Sequence, residues 1–212
     1  MITLTAGEIG LLVGGEMHCD KDLLVSKAPV FDSRKATPGC IFLALQGEVV
    51  DGHDYAADAY RAGAMFSLTT RRIDGPCIVV EDVIEALSIL ATFVRKRLTN
   101  LTVIGITGSQ GKTSTKDLMS HMLSVAGPTV SPAGSFNNDL GLPITLLECD
   151  EKTRFCILEM GARHSGDIAR LCGIAAPNIG VVLTVGTAHI GEFGSREIIA
   201  KTKGELIESL GK

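Results

Sequence analysis

The sequence contains no tryptophan, two tyrosines and seven phenylalanines among its 212 residues. That is too few flat rings for a surface that binds nucleic acid by stacking bases. An excess of basic charge is missing as well. Twenty Lys+Arg stand against twenty-four Asp+Glu, a formal charge of −4, whereas a protein that lives on nucleic-acid phosphate needs the opposite sign. No nucleic-acid partner is expected. Nor is there a long hydrophobic run: the most apolar stretch, VIEALSILATFV (83–94), is too short to span a bilayer and contains Glu85. The N-terminal MITLTAGEIGLLVGGE lacks a basic n-region and carries Glu8, so no signal peptide is expected. No membrane insertion is expected, and the expected location is the cytoplasm. The cysteines at 19, 40, 77, 149, 156 and 172 form no C-x-x-C pair and no zinc-type spacing. Reduced and mostly buried thiols are the expectation.

What is present points to a folded α/β protein. A 45% hydrophobic fraction with 21% charged residues is the composition of a chain with a core, and excludes intrinsic disorder. At roughly 100–200 residues per domain, the length suits one large domain or two small ones. Glycine, at 24 residues, exceeds the usual ~7%, so tight backbone turns matter here.

In the first hundred residues, short apolar runs alternate with turn signals. CIFLAL (40–45), AMFSLT (64–69) and CIVV (77–80) read as strands. HDYAADAYRAGA (53–64) has helical spacing and ends at Gly63, a suitable C-cap. A helix is expected from about 82 to 98, with Val83, Leu87, Leu90 and Val94 on one face. From 101 the pattern changes. LTVIGI (101–106) is an uninterrupted apolar run, as in a parallel strand covered on both faces. It enters TGSQGKTS (107–114) and then a helical stretch carrying Leu118, Met122 and Val125. Strand and turn recur at 154–161 and 178–186, each followed by helical sequence. The expected fold class is α/β: a small N-terminal α/β domain over 1–99, then a P-loop domain with a mostly parallel sheet from 100 to 212.

The turn Gly108-Ser109-Gln110-Gly111-Lys112-Thr113 follows a buried strand and opens a helix. In that context backbone N–H groups face anionic oxygens, and glycine lets the backbone approach them. Lys112 would reach the β/γ-phosphates of a nucleotide and the Thr113 hydroxyl would bind Mg²⁺. The strict G-x-x-x-x-G-K-[ST] spacing is not met, because position 106 is Ile and the glycines fall at 105, 108 and 111. Glu159 ends an apolar strand at the edge where open α/β sheets bind ligands. It reads either as a Mg²⁺ ligand or as a loop carboxylate capping the next helix. His189 follows a later strand and reads as structural or functional alike. Asn137 and Asn138 can form a simple turn, since Asn tolerates left-handed geometry. Lys203 shares a helix face with Ile199, Leu206, Ile207 and Leu210. It either snorkels outward or is held inward with a lowered pKa. Lys201 lies on another face and reads as solvated.

Several ordered segments carry a family resemblance. TGSQGKTSTKDLM (107–119), FNNDLGLP (136–143), LEMGARHSGDI (158–168) and VGTAHIGEFGSREIIAKTKGEL (185–206) together resemble the Mur ligases of peptidoglycan synthesis. FDSRKATPGCIFLALQGEVVDGHDYAADAYRAGA (31–64) resembles their N-terminal UDP-binding domain. NNDLGLP, GARHSGDI and AHIGEFGS are similar to the wording of the branch that joins D-alanyl-D-alanine to a UDP-N-acetylmuramoyl-tripeptide. The resemblance implies that 1–99 binds the UDP-sugar and that 100–212 is the first part of a central ATP-binding domain. The family's C-terminal domain is absent from these 212 residues, so ligase activity is not expected of this polypeptide alone.

The resemblance also assigns roles. Gly108 to Ser114 would hold ATP, with the family's own G-x-x-G-K-[ST] spacing. Thr113 and Glu159 match ligands of one Mg²⁺. His189 matches a ligand of a second Mg²⁺, and Lys203 falls where many members carry a metal-supporting carbamylated lysine. Ser33 and Arg34 match the D-S-R motif associated with the uridine nucleotide, and Asn137 and Asn138 the nucleotide-proximal site. The implied chemistry is amide formation through an acyl phosphate, by a monomer. The alternatives are another Mur-type ligase (adding the third residue, or folylpolyglutamate-like), a P-loop NTPase or kinase that forms no amide, and a binding fragment without turnover.

Overall fold

The computed structural model describes residues 1–132, 134–186 and 190–211. The chain divides into two compact units, Met1–Leu90 and Ala91–Lys212. In the first unit, β1 (Leu4–Thr5) leads into α1 (Ala6–Val13). Thr5 starts that helix with a capping box: its Oγ1 accepts the Glu8 N–H at 3.1 Å, and the Glu8 carboxylate accepts the Thr5 N–H at 2.8 Å. The next strands are β2 (Glu16–His18), β3 (Leu24–Val25), β4 (Ile41–Leu43), β5 (Phe66–Thr69) and β6 (Cys77–Val79). β1 pairs with β3 in a small antiparallel ribbon. The others form a sheet in the order β2-β6-β5-β4, with β4, β5 and β6 parallel and β2 antiparallel at the edge. Ile41, Phe42, Leu43, Phe66, Leu68 and Ile78 are buried within it, so the three apolar runs expected as strands are strands. The expected helix at 53–64 begins as a 3₁₀ turn (Gly52–Tyr55) and continues as α2 (Ala56–Arg61). Gly63, with φ 110°, takes the chain out of it.

α3 (Val83–Arg97) spans the division between the units. Its first turn is capped by Asp82, whose Oδ1 accepts the N–H groups of Ile84 and Glu85. Val83, Leu87, Leu90 and Val94 are all buried, as their spacing predicts.

The second unit contains β7 (Thr102–Thr107), α4 (Lys112–Ala126), β8 (Thr129–Val130), α5 (Gly141–Leu147), β9 (Phe155–Glu159), α6 (Asp167–Ala175), β10 (Ile179–Val182), α7 (Ile190–Phe193) and α8 (Arg196–Glu208). Its sheet runs β10-β7-β9-β8, parallel throughout. The chain leaves β7 in one direction for β8 and returns for β9 and β10. Right-handed crossovers therefore put α4 on one face of the sheet and α5 and α6 on the other. α5 packs on α6, and α6 on α8. The direction of travel thus reverses at the edge strand β8, and the loop that leaves β7 lies at the carboxyl ends of the parallel strands, where open α/β sheets bind ligands.

One helix exposes several of its apolar residues. In α4 the apolar positions Leu118, Met122 and Val125 are 67%, 73% and 89% exposed. Met119 and Leu123 pack instead on the buried Ile104, Ile106 and Ile157 of the sheet. The phase of the helix is set where it leaves the glycine loop, so Met119 and Leu123 face the sheet, with the buried Lys116 close to them round the helix. All six cysteines are free and five of them are buried. Among the described residues, no helix is long and apolar enough to cross a membrane.

Ile157→Ala is expected to cost about 2–5 kcal/mol, as large-to-small changes in close-packed cores do. Leu118→Ala should stay within about 0.5 kcal/mol, in keeping with its exposure. Urea denaturation of the two variants checks the phase of α4; equal losses would contradict it.

Candidate active site

β7 ends at Thr107, which is fully buried and whose Oγ1 donates to the Met160 carbonyl at 2.9 Å. The loop that follows is tightly confined. A Cβ at Gly108 would come within 3.0 Å of Leu183 Cβ and 3.3 Å of the Thr184 nitrogen. Gly111 sits at the N-cap of α4 with φ 85°, a conformation that favours glycine. No side chain caps the helix there, so its first-turn N–H groups face outward as an anion site. Lys112 Nζ folds back to donate to the Gly108 carbonyl at 2.8 Å. Ser109 ties the loop to the segment after β10: its N–H donates to Thr184 O at 2.8 Å, and its Oγ accepts the Gly186 N–H at 2.9 Å. Gln110 and Ser114 are exposed.

Glu159, at the end of β9, stands opposite Ile106 in the neighbouring β7. This register brings its carboxyl beside the start of α4. Glu159 is fully buried, and Thr113 Oγ1 donates to its Oε2 at 3.3 Å. Its Oε1 has no hydrogen-bond partner. Burial raises the carboxyl pKa, opposed by the Thr113 hydrogen bond and by the charges of Lys116 and Lys112. Among the described residues no cluster of three or more His, Cys, Asp or Glu could enclose a metal. An orphaned carboxylate oxygen beside a hydroxyl on an anion-binding loop does fit Mg²⁺, which takes one or two carboxylates plus phosphate oxygens.

The loop opens onto a cavity of about 550 Å³. Gly108, Ser109 and Lys112 form part of its lining, with Asn137, Asn138 and Lys203 among the others. Asn138 makes the turn expected of it, since its Oδ1 accepts the Gly141 N–H at 2.9 Å and its carbonyl accepts the Leu142 N–H. The Asn137 carbonyl accepts the Gly161 N–H at 2.8 Å. Gly161 lets the two segments close up, because a Cβ there would stand 2.9 Å from the Asn137 side chain. Lys203 points inward, 6% exposed, and Ile199 and Leu206 are buried on the same side of α8. Burial first, and the charge of Lys112 second, lower its pKa. Lys201 is exposed.

His189 lies outside the described residues. The segment leading towards it is held by Ser109 and by Arg196, whose Nε and Nη2 both donate to Val185 O. Ser33 and Arg34 belong to the first unit and do not line this cavity. There Asp32 Oδ1 accepts the Arg34 N–H and Nε–H, while Arg34 Nη2 reaches Oδ2 at 2.8 Å. The guanidinium holds the Asp32 pKa at about 2. Ser33 is buried and Arg34 is exposed. The sequence reading did not single out Arg163, Asp167 or Arg170, which also line the cavity. They lie within or just after GARHSGDI, but spacing does not say which of its charged residues turn inward.

Glu159 makes the metal-free fold pH-dependent. Its folded pKa is raised above the ordinary 4.5, so the folded state binds protons more tightly than the unfolded one. Its contribution to stability is therefore full below about pH 4.5 and is lost as the pH rises through the folded pKa. Glu159→Gln should remove that decline and raise the urea midpoint at pH 7. Urea midpoints of both chains from about pH 4 to 8 check this; parallel profiles would refute it.

Residues 30–95 match the model described as "Mur ligase family, catalytic domain". A UDP-N-acetylmuramoyl-tripeptide–D-alanyl-D-alanine ligase of Mycobacterium tuberculosis is 48% identical over 238 aligned residues, covering 99% of this chain and 47% of the relative. A crystal structure of MurF from Acinetobacter baumannii superposes with a TM-score of 0.88 at 35% identity, covering 98% of this chain and 47% of that one. The MurF ligase of Thermotoga maritima in complex with ADP gives a TM-score of 0.78 at 36% identity, over 91% of this chain and 45% of that one. The chain thus spans about half the length of the curated relatives it matches. Residues 106–212, about half of the chain, match the Mur ligase middle domain, and the chain belongs to the Mur ligase family.

Proposed function

We propose that this chain supplies the nucleotide-sugar-binding and ATP-binding parts of an ATP-dependent ligase that joins D-alanyl-D-alanine to a UDP-N-acetylmuramoyl-tripeptide in the cytoplasm. The observation that carries the ATP-dependent part is the unpartnered Glu159 Oε1 beside Thr113, at the mouth of a glycine loop with an uncapped helix behind it. The choice of substrates rests on the relatives, whose names specify that reaction and which align with nearly the whole of this chain.

In this reading, the first-turn N–H groups of α4 and the Lys112 ammonium hold the phosphates of ATP. Thr113 and Glu159 would hold one Mg²⁺, which supplies neutralising charge to the phosphate oxygens. The tripeptide's terminal carboxylate takes the γ-phosphoryl group, forming an acyl phosphate and ADP. The amine of D-alanyl-D-alanine then attacks the acyl carbon, and phosphate leaves with the bonding pair of the C–O bond. Phosphoryl transfer of this kind needs positioning and charge neutralisation more than a protein nucleophile, which suits a cavity lined by Lys112, Lys203 and asparagines. Lys203 is the residue for carbamylation, because its buried position favours the neutral amine that reacts with CO₂. It and His189 would support a second Mg²⁺. Residues 1–99, through Ser33 and Arg34, would hold the uridine nucleotide, and 100–212 the ATP; the ligase would act as a monomer.

Calorimetry with Mg-ADP tests the loop. Lys112→Ala should weaken binding by about 10–100-fold, the value of a charge-assisted hydrogen bond to phosphate; unchanged affinity would remove the assignment. UDP-N-acetylmuramoyl-tripeptide should bind the chain independently of Mg-ADP and weaken on Ser33→Ala. A Ser33→Ala chain with the wild-type affinity would remove the uridine assignment.

A further inference from the structure

The run GKTSTK contains two lysines four residues apart, Lys112 and Lys116, and only the first belongs to the glycine loop. Four residues are about one helical turn, so both project from the same side of α4. Lys116 is nevertheless 2% exposed. A buried ammonium is tolerated only where its donors are matched, and here they are. Lys116 Nζ donates to Pro132 O at 2.8 Å and to Gly134 O at 3.2 Å, and pairs with Asp117 Oδ1 at 2.8 Å. Asp117 itself is exposed, so the inward-facing partners are the two carbonyls.

Those carbonyls belong to the connection between β8 and α5, which has no helix or strand among its described residues, 131, 132 and 134–140. The same connection delivers Asn137 and Asn138 to the cavity. It is held at three further places. Ser131 Oγ meets Ser120 Oγ at 2.9 Å, the Asn137 carbonyl accepts from Gly161, and Asn138 caps the start of α5. Lys116 is thus the cationic anchor between the phosphate-loop helix and the opposite wall of the cavity.

We propose that Lys116 is a positioning residue: its ammonium gathers the Pro132 and Gly134 carbonyls onto α4, one turn beyond Lys112, and so sets Asn137 and Asn138 at their distance from the phosphate loop. Methionine has a side chain of similar length without donors. In Lys116→Met, both carbonyls lose their partner and the connection is released, while the loop Gly108–Lys112 keeps its own contacts.

The role assigned to the wall rests on the nucleotide reading; the anchoring does not. Hydrogen exchange on the full chain reads the anchor without any ligand. Lys116→Met should speed exchange at 131 and 134–138 by about tenfold, with β7 and β9 unchanged; equal exchange in the two chains overturns the proposal. Calorimetry with Mg-ADP reads the wall. Lys116→Met should weaken binding by about tenfold, and that loss should vanish in an Asn137→Ala background, the non-additivity of residues acting through one another. Unchanged affinity, or losses that simply add, overturns the positioning role. If the wild-type chain does not bind Mg-ADP, the nucleotide reading fails and exchange alone decides the anchor. If Lys116→Met does not fold, the wild-type lysine ammonium signals decide by NMR. A Lys116 signal protected from water is expected, and one exchanging as fast as that of the exposed Lys201 overturns the proposal.

Discussion

The pairing of Ile106 in β7 with Glu159 in β9 is the constraint on which the site depends. Parallel strands end at the same edge of their sheet, and side-chain direction alternates along each strand, so a slip of one residue would turn Glu159 to the other face. With this register, the last residue of β9 stands beside the loop that leaves β7, and Thr113 comes within hydrogen-bond reach of Glu159. The rest is arranged around this contact. Thr107 fastens the end of β7 to Met160, Ser109 fastens the loop to the segment after β10, and the Asn137 carbonyl fastens the opposite wall to Gly161.

Charge is distributed around the register in an uncommon way for a chain of net charge −4. Lys112, Lys116 and Lys203 converge on the same region, two of them buried, with a buried carboxylate among them. A site that is to receive a polyphosphate gains from such a local excess of positive charge, because field lines concentrate in a low-dielectric cleft. The cost is carried by desolvation. It shows in the raised pKa of Glu159 and the lowered pKa of Lys203. Shifted groups of both signs close together are an arrangement by which functional sites tune their chemistry.

Much of this was legible in the residue order. The apolar run at 101–106 marked β7 as a strand covered on both faces, and the turn chemistry after it marked the glycine loop at the start of α4. The face Val83, Leu87, Leu90, Val94 followed from spacing alone and is buried throughout. In α4 spacing did not single out the inward face. Leu118, Met122 and Val125 are exposed, whereas Met119 and Leu123 meet the sheet and Lys116 is buried. Hydrophobicity could not rank a lysine as an interior residue, because what permits its burial is a pair of carbonyls sixteen and eighteen residues further along the chain.

The chain itself determined which groups were available and how local segments behave. Glycine at 108 and 111 permits the loop, Thr5 and Asp82 start helices, and a long apolar run makes a central strand. Those outcomes depend on torsional freedom, capping and periodicity, which act over a few residues. Tertiary structure decided the direction of every ambiguous side chain. It turned Lys203 inward instead of letting it snorkel, and left Glu159 Oε1 without a partner. Burial and electrostatic environment are properties of neighbours distant in sequence, and only the folded sheet brings those neighbours together.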